Sequence, residues 1–183
     1  MSDKQAVDAV KYWLETIVIG EKFCPFAKPV WDNNSIEYAI SPVSDIEQAL
    51  TRIIDECCTL DRDQSIETSL VIFTDGFNDF EQFLDLIELA SQLLELEGYS
   101  GIYQLAHFHP DYQFEGVASD AAENYTNRAP LPILHLIREQ SIEDALVSVK
   151  APENIPQRNI KHAENLGSNF FKNHLANAIN KLK

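Results

Sequence analysis

Apolar residues recur along this chain at two spacings, one helical and one of strand length, and the two alternate. Val7, Val10, Leu14, Ile17 and Val18 fall on one helical stripe bordered by Trp13, which predicts a helix over 3–19. Ser2 or Asp3 can cap its start, and Gly20 suits a left-handed terminator. The segment EKFCPFAKP (21–29) contains two prolines and reads as a loop, with a turn over 31–34. Residues 35–41 read as a strand. Ser44 or Asp45 then caps a helix to about residue 60, with Ile46, Leu50, Ile53, Ile54 and Cys57 inward. TSLVIFT (68–74) is a continuous apolar run with β-branched residues, as in a strand buried on both faces.

Asp75-Gly76 turns the chain into a helix capped by Asn78 or Asp79, running to about Glu97 and ended by Gly98. A strand follows over 101–109, then an irregular segment to Pro132 and a fourth strand over 133–138. Ser141 is placed to cap a helix to about Val149. Asn154 and Pro156 open another that Gly167 closes, and Ser168 caps the last. Strands alternating with long helices imply parallel neighbours for the first three strands, whereas the fourth follows a long loop and its direction is open. The expected fold is one α/β domain, with a central mixed, mostly parallel sheet of about four strands, flanking helices and added C-terminal helices.

Charge narrows the function classes. There are 29 acidic against 14 basic residues and a net charge of -15. This argues against nucleic acid, which is bound by excess Lys and Arg, and against anionic membrane surfaces. No apolar run approaches the roughly 20 residues that cross a bilayer. The N-terminus lacks a basic stretch followed by an apolar one, and the three cysteines have no framework spacing, so a cytoplasmic protein is expected.

Candidate chemistry concentrates in Tyr103–Glu139, which holds three of the five histidines. Alternation puts His107 and His109 on one strand face. If the fourth strand is a neighbour, His135 could join them, an arrangement known for catalytic zinc. Beyond the strand, the irregular segment is too long for a plain connection, and such loops over strand ends are where α/β sheets place ligands. Within it Asn124, Tyr125, Thr126, Asn127 and Arg128 form a dense run of donors and acceptors. Arg128 and Arg138 carry forks suited to a carboxylate or phosphate, and the bland alternative pairs Arg128 with Asp120 or Glu123. Cys24 is a candidate nucleophile if a histidine lies near it in the fold, although free cysteine is commonly a small buried hydrophobe. No phosphate-binding glycine loop, GxSxG or HExxH is present, and the cofactor is left open.

The segments FCPFA (23–27), FHPDYQF (108–114), NYTNRAPLPILHLIRE (124–139) and RNI (158–160) together resemble the bacterial family known as domain of unknown function 1415. The resemblance runs from about Val10 to Gly167 and leaves the last helix, 168–183, outside. It implies that Cys24, His109, Tyr112, Asn124, Tyr125, Asn127, Arg128, His135 and Arg138 belong to the family pattern and that His107 does not. A three-histidine metal site would then not be a family property, and the resemblance brings no reaction with it.

The leading expectation is an enzyme acting on a small anionic metabolite. His109 would be general acid or base, Cys24 a nucleophile, and Tyr112, Asn124, Tyr125, Asn127, Arg128, His135 and Arg138 would hold substrate. The alternatives are a non-catalytic protein that binds a small ligand or a partner, and a histidine-ligated metal site.

Overall fold

A computed structural model describes residues 1–147, 149 and 151–183. Helix α1 (Asp3–Trp13) begins at a capping box in which Ser2 and Gln5 satisfy each other's backbone amides. It continues as a π-helical stretch over Leu14–Ile19, marked by wide bonds from Gly20 N to Glu15 O and from Phe23 N to Val18 O, both 3.0 Å. Gly20 therefore keeps a right-handed φ of -58° and does not terminate the helix in the left-handed region as expected. Lys22 takes that conformation instead, with φ 57°. The expected loop over 21–29 is also corrected in its second half, because Ala27–Asp32 forms helix α2. Pro29 sits in the first turn of α2, where its missing N–H costs no hydrogen bond.

Strand β1 (Ile36–Ser41), helix α3 (Ile46–Arg62), strand β2 (Thr68–Phe73) and helix α4 (Phe80–Leu96) follow the apolar pattern closely. Every residue of β2 is buried. Gly98 ends α4 as expected, at φ 83°, with Tyr99 N bonded back to Leu94 O at 2.8 Å. Strand β3 (Tyr103–Phe108) leads through the loop and a 3₁₀ turn over Ala122–Thr126 to β4 (Ile133–Arg138). Helix α5 (Glu139–Val147) starts directly at the strand end and not at Ser141, and the expected end near Val149 falls beside residues outside those described. Helices α6 (Ile155–Leu166) and α7 (Ser168–Asn180) complete the chain.

The sheet is mixed, in the order β1-β2-β4-β3. β1 and β2 pair in parallel, whereas β4 is antiparallel to both β2 and β3. The first three strands thus share one direction, but β4 lies between β2 and β3, so two of the three pairings are antiparallel rather than most being parallel. The cause is local. An irregular loop, not a helix, joins β3 to β4, and such a connection returns the chain antiparallel beside the strand it left. His109 N to Asn127 O (3.2 Å) and Ala129 N to His109 O (3.4 Å) prolong that pairing into the loop.

Two apolar clusters cover the sheet. Leu70, Ile72 and Ile133 pack with Trp13 and Ile17 of the first helical segment, Ala163 of α6 and Phe171 of α7. On the opposite face Val71, Phe73, Leu134 and Leu136 pack with Ile53 of α3 and Phe83 of α4. Among the described residues, no helix is long and apolar enough to cross a membrane.

Candidate functional site

The strand register decides where the histidines go. His135 stands opposite Ala106 and Leu70, while His107 stands opposite Leu134. Cross-strand partners share a face, so His135 and His107 point to opposite sides of the sheet. The ring of His135 lies near Phe108, which packs on Trp13, while His107 and His109 both meet Phe83 of α4. The three histidines that the alternative metal reading would bring together are therefore divided by the sheet. Among the described residues, no group of three or more His, Cys, Asp or Glu side chains is arranged to hold a metal ion.

His109 is fully buried. Its Nδ1 accepts from the Asp111 amide at 3.0 Å, so its Nε2 carries the proton and donates to Phe77 O at 2.9 Å. Phe77 itself is buried at φ 59°, a backbone state that β3 and its loop hold in place through this bond. Burial lowers the His109 pKa below its ordinary value against the raising effect of the Phe77 bond. Added protons would meet the Asp111 amide at Nδ1, and the ring is fixed as a neutral linker.

The polar run of the loop is spent in the same way. Asn124 is fully buried, its Oδ1 accepting from Phe114 N at 3.0 Å and its Nδ2 donating to Ala118 O at 2.8 Å. Asn127 accepts from the Thr126 hydroxyl and donates to His107 O at 3.4 Å. Arg128 donates from Nε to Tyr112 O at 2.9 Å and from Nη2 to Ser119 O at 2.8 Å, with its guanidinium over the Tyr125 ring. Its partners are backbone carbonyls, not Asp120 or Glu123. Tyr125 in turn stacks on Phe171 of α7. Tyr112 packs against Phe80, His107 and Phe114, and burial raises its hydroxyl pKa.

Arg138 and His135 lie elsewhere. Arg138 pairs with Tyr103 at the far end of β3 and β4, and donates to Leu60 O (2.6 Å) and Ile66 O, closing the C-terminal end of α3. Six residues of strand separate the ends of β4, on the order of 17 Å, so Arg128 and Arg138 cannot clamp one small anion. His135 bonds through Nε2 to the Thr68 hydroxyl, which itself donates to Leu136 O. The ring must therefore be the donor to Thr68. Some of its surface still reaches solvent, yet burial pushes its pKa down to about 4.

Cys24 is half-buried, and burial pushes its thiol pKa up, outweighing the amides of Phe26 and Ala27 and the charge of Arg158. A protonated thiol is a poor nucleophile. Its loop is clasped by α6, where Arg158 Nη2 donates to Lys22 O (2.9 Å) and Asn159 Nδ2 to Phe23 O (2.7 Å), while His162 Nε2 meets Glu21 Oε2 at 2.9 Å. Between this turn and α6 lies a cleft of ≈ 390 Å³ lined by Gly20, Glu21, Lys22, Arg158, Asn159 and His162. Among the described residues, the Lys22 ammonium and the Nε and Nη1 groups of Arg158 have no partner. In the sequence Gly20 reads only as a helix terminator and Arg158-Asn159 only as part of the RNI family segment, and none of the six has a site role. The available signal was an Arg-Asn pair in the opening turns of an otherwise ordinary amphipathic helix.

Nothing among curated proteins or solved structures matches the chain. A family profile described as "Protein of unknown function (DUF1415)" matches residues 5–173, reaching beyond Val10–Gly167 at both ends and into the first turns of α7. The motifs that first suggested this family are the segments now seen clasping one another, FCPFA against Arg158 and Asn159, and NYTNR folded back on Tyr112 and Ser119. The chain belongs to the DUF1415 family.

Proposed function

We propose that this protein is a non-catalytic binder of a small anion, held in the cleft between the Gly20–Lys22 turn and α6. The observation that carries this reading is the internal bonding of the 109–132 loop. His109, Asn124 and Arg128 all hold the chain's own backbone, so using them on a substrate would mean unmaking the loop. Buried groups stripped of such partners cost about 1–3 kcal/mol each, a poor basis for repeated turnover. The loop then serves as an ordered cap that fastens β3, β4 and α7.

The cleft supports the binding half of the proposal. Its volume lies at the small end of ligand sites, and it brings one unpaired lysine and one incompletely used arginine together in a chain of net charge -15. Glu21, the acid in the cleft, has its Oε2 turned to His162 Nε2 at 2.9 Å. A carboxylate or phosphate monoester of metabolite size fits this donor set. A thermal-shift screen of phosphate, sulfate and small di- and tricarboxylates tests the reading. At least one anion should raise the midpoint for the wild type, and Arg158→Ala should remove the rise. Chemical conversion of a stabilising anion, detected by mass spectrometry, would replace the non-catalytic reading with an enzymatic one.

A further inference from the structure

Helices α3 and α4 cover the sheet face opposite α1, and a groove of ≈ 640 Å³ opens between them. Its floor is apolar. Ile46, Leu50 and Ile54 succeed one another at single-turn intervals on α3, and Leu93 faces them from α4. Leu89 and Leu96 extend the Leu93 stripe outward at i-4 and i+3, and they are 40% and 83% exposed. With Leu93 they continue the apolar floor of the groove onto the surface as one contiguous stripe.

The rim has one sign. Asp45, Glu47, Asp55 and Glu97 border the groove. Helix α4 carries Glu81, Asp85, Glu88 and Glu95 and no Lys, Arg or His. The nearest base on α3, Arg52, is held by Glu56 at 2.8 Å. An apolar trough with an acidic border selects its occupant by charge as well as by shape.

We propose that the α3–α4 groove docks an amphipathic helix of a partner protein, with aliphatic anchors at i, i+4 and i+7 and Lys or Arg along its flanks. A second copy of this chain would set acidic rim against acidic rim at a net charge of -15 on each side, and an anionic membrane would be repelled for the same reason. The groove shares no residue with the anion cleft, so either proposal can fail alone.

The test uses the full chain and three synthetic helical peptides of about 18 residues, five turns in length. One carries a leucine stripe at i, i+4 and i+7 with lysine elsewhere. One has the same composition scrambled so that no stripe forms, and one has the stripe with glutamate in place of lysine. Fluorescence anisotropy should rank the lysine stripe peptide at least ten-fold tighter than either control. The Leu89→Lys/Leu96→Lys variant, altered only at exposed positions, should weaken it at least ten-fold. Backbone NMR shifts on binding should fall on α3 and α4. Equal binding of the scrambled peptide, shifts located elsewhere, or unchanged affinity in the double variant would overturn the proposal. So would a concentration-dependent dimer of the wild type that the double variant abolishes, because the groove would then belong to a second copy.

Discussion

Burial holds the His135 imidazole near pKa 4, while in the unfolded chain it titrates near the ordinary 6.5. Between those values the unfolded state binds more protons, so folding stability is complete above about pH 6.5 and falls as pH drops toward 4. The loss from this one ring is at most about 3 kcal/mol. Burial also lowers His107 and His109, which adds to the loss in the same direction. Thermal midpoints at pH 7 and pH 5 should differ clearly in the wild type, and His135→Gln, which can still donate to Thr68, should narrow the gap. An unchanged gap would show that His135 is not the titrating group. Asn124→Ala should cost roughly 2–3 kcal/mol in urea denaturation, because it strands the Phe114 amide and the Ala118 carbonyl. A cost below about 0.5 kcal/mol would place Asn124 outside the structural frame. At this scale the chain was half legible. Alternation showed that His107 and His109 share a side, but which side His135 takes depends on a register with a neighbour far away in sequence, and one residue of slip reverses it.

Among the elements, the π-helical stretch at Leu14–Ile19 sets the geometry of the cleft proposed to bind an anion, since it delivers Gly20, Glu21 and the left-handed Lys22 to α6. A Cβ on Gly20 would lie 2.6 Å from Thr16 O and 3.0 Å from Glu15 O. In an ordinary helix interior Gly→Ala stabilises by up to about 1 kcal/mol. Here Gly20→Ala should instead destabilise, by about 1–3 kcal/mol, with the denaturation midpoint moving down. A rise in the midpoint would mean that the wide turn is not held as described. The apolar pattern predicted α3, α4 and the strands because burial of one face imposes a period and burial of both, as in β2, a continuous apolar run. Helix α2 and the π-helical turn escaped that reading. α2 has no buried residue, hence no stripe, and the π-helical turn keeps the same apolar residues inward as an α-helix would. The position of β4 between β2 and β3 was equally silent, because period does not report which strand edge a chain returns to.

For the whole molecule, the candidate residues gathered in the stretch Tyr103–Glu139 fall at opposite ends of the sheet, and α6 packs on the 3₁₀ turn of the loop. The loop cap lies beyond the ends of β3 and β4 against α7, Arg138 closes the opposite end of the sheet, and the cleft sits where α6 clasps the turn after the first helical segment. The polar density of Asn124–Arg128, read in the sequence as a ligand site, serves internal bonding in a loop that has little regular structure to satisfy its backbone. Arg158, by contrast, stood in the sequence only as part of the RNI segment of the family pattern, and Lys22 stood in none. This division of roles is testable in one titration. Calorimetry with a stabilising anion, run beside urea denaturation, compares the wild type with Arg128→Ala and Arg158→Ala. Arg128→Ala should lose stability and keep its affinity, whereas Arg158→Ala should keep most of its stability and lose affinity at least ten-fold. The reverse pattern, with affinity lost at Arg128 and kept at Arg158, would return the site to the loop and contradict the account.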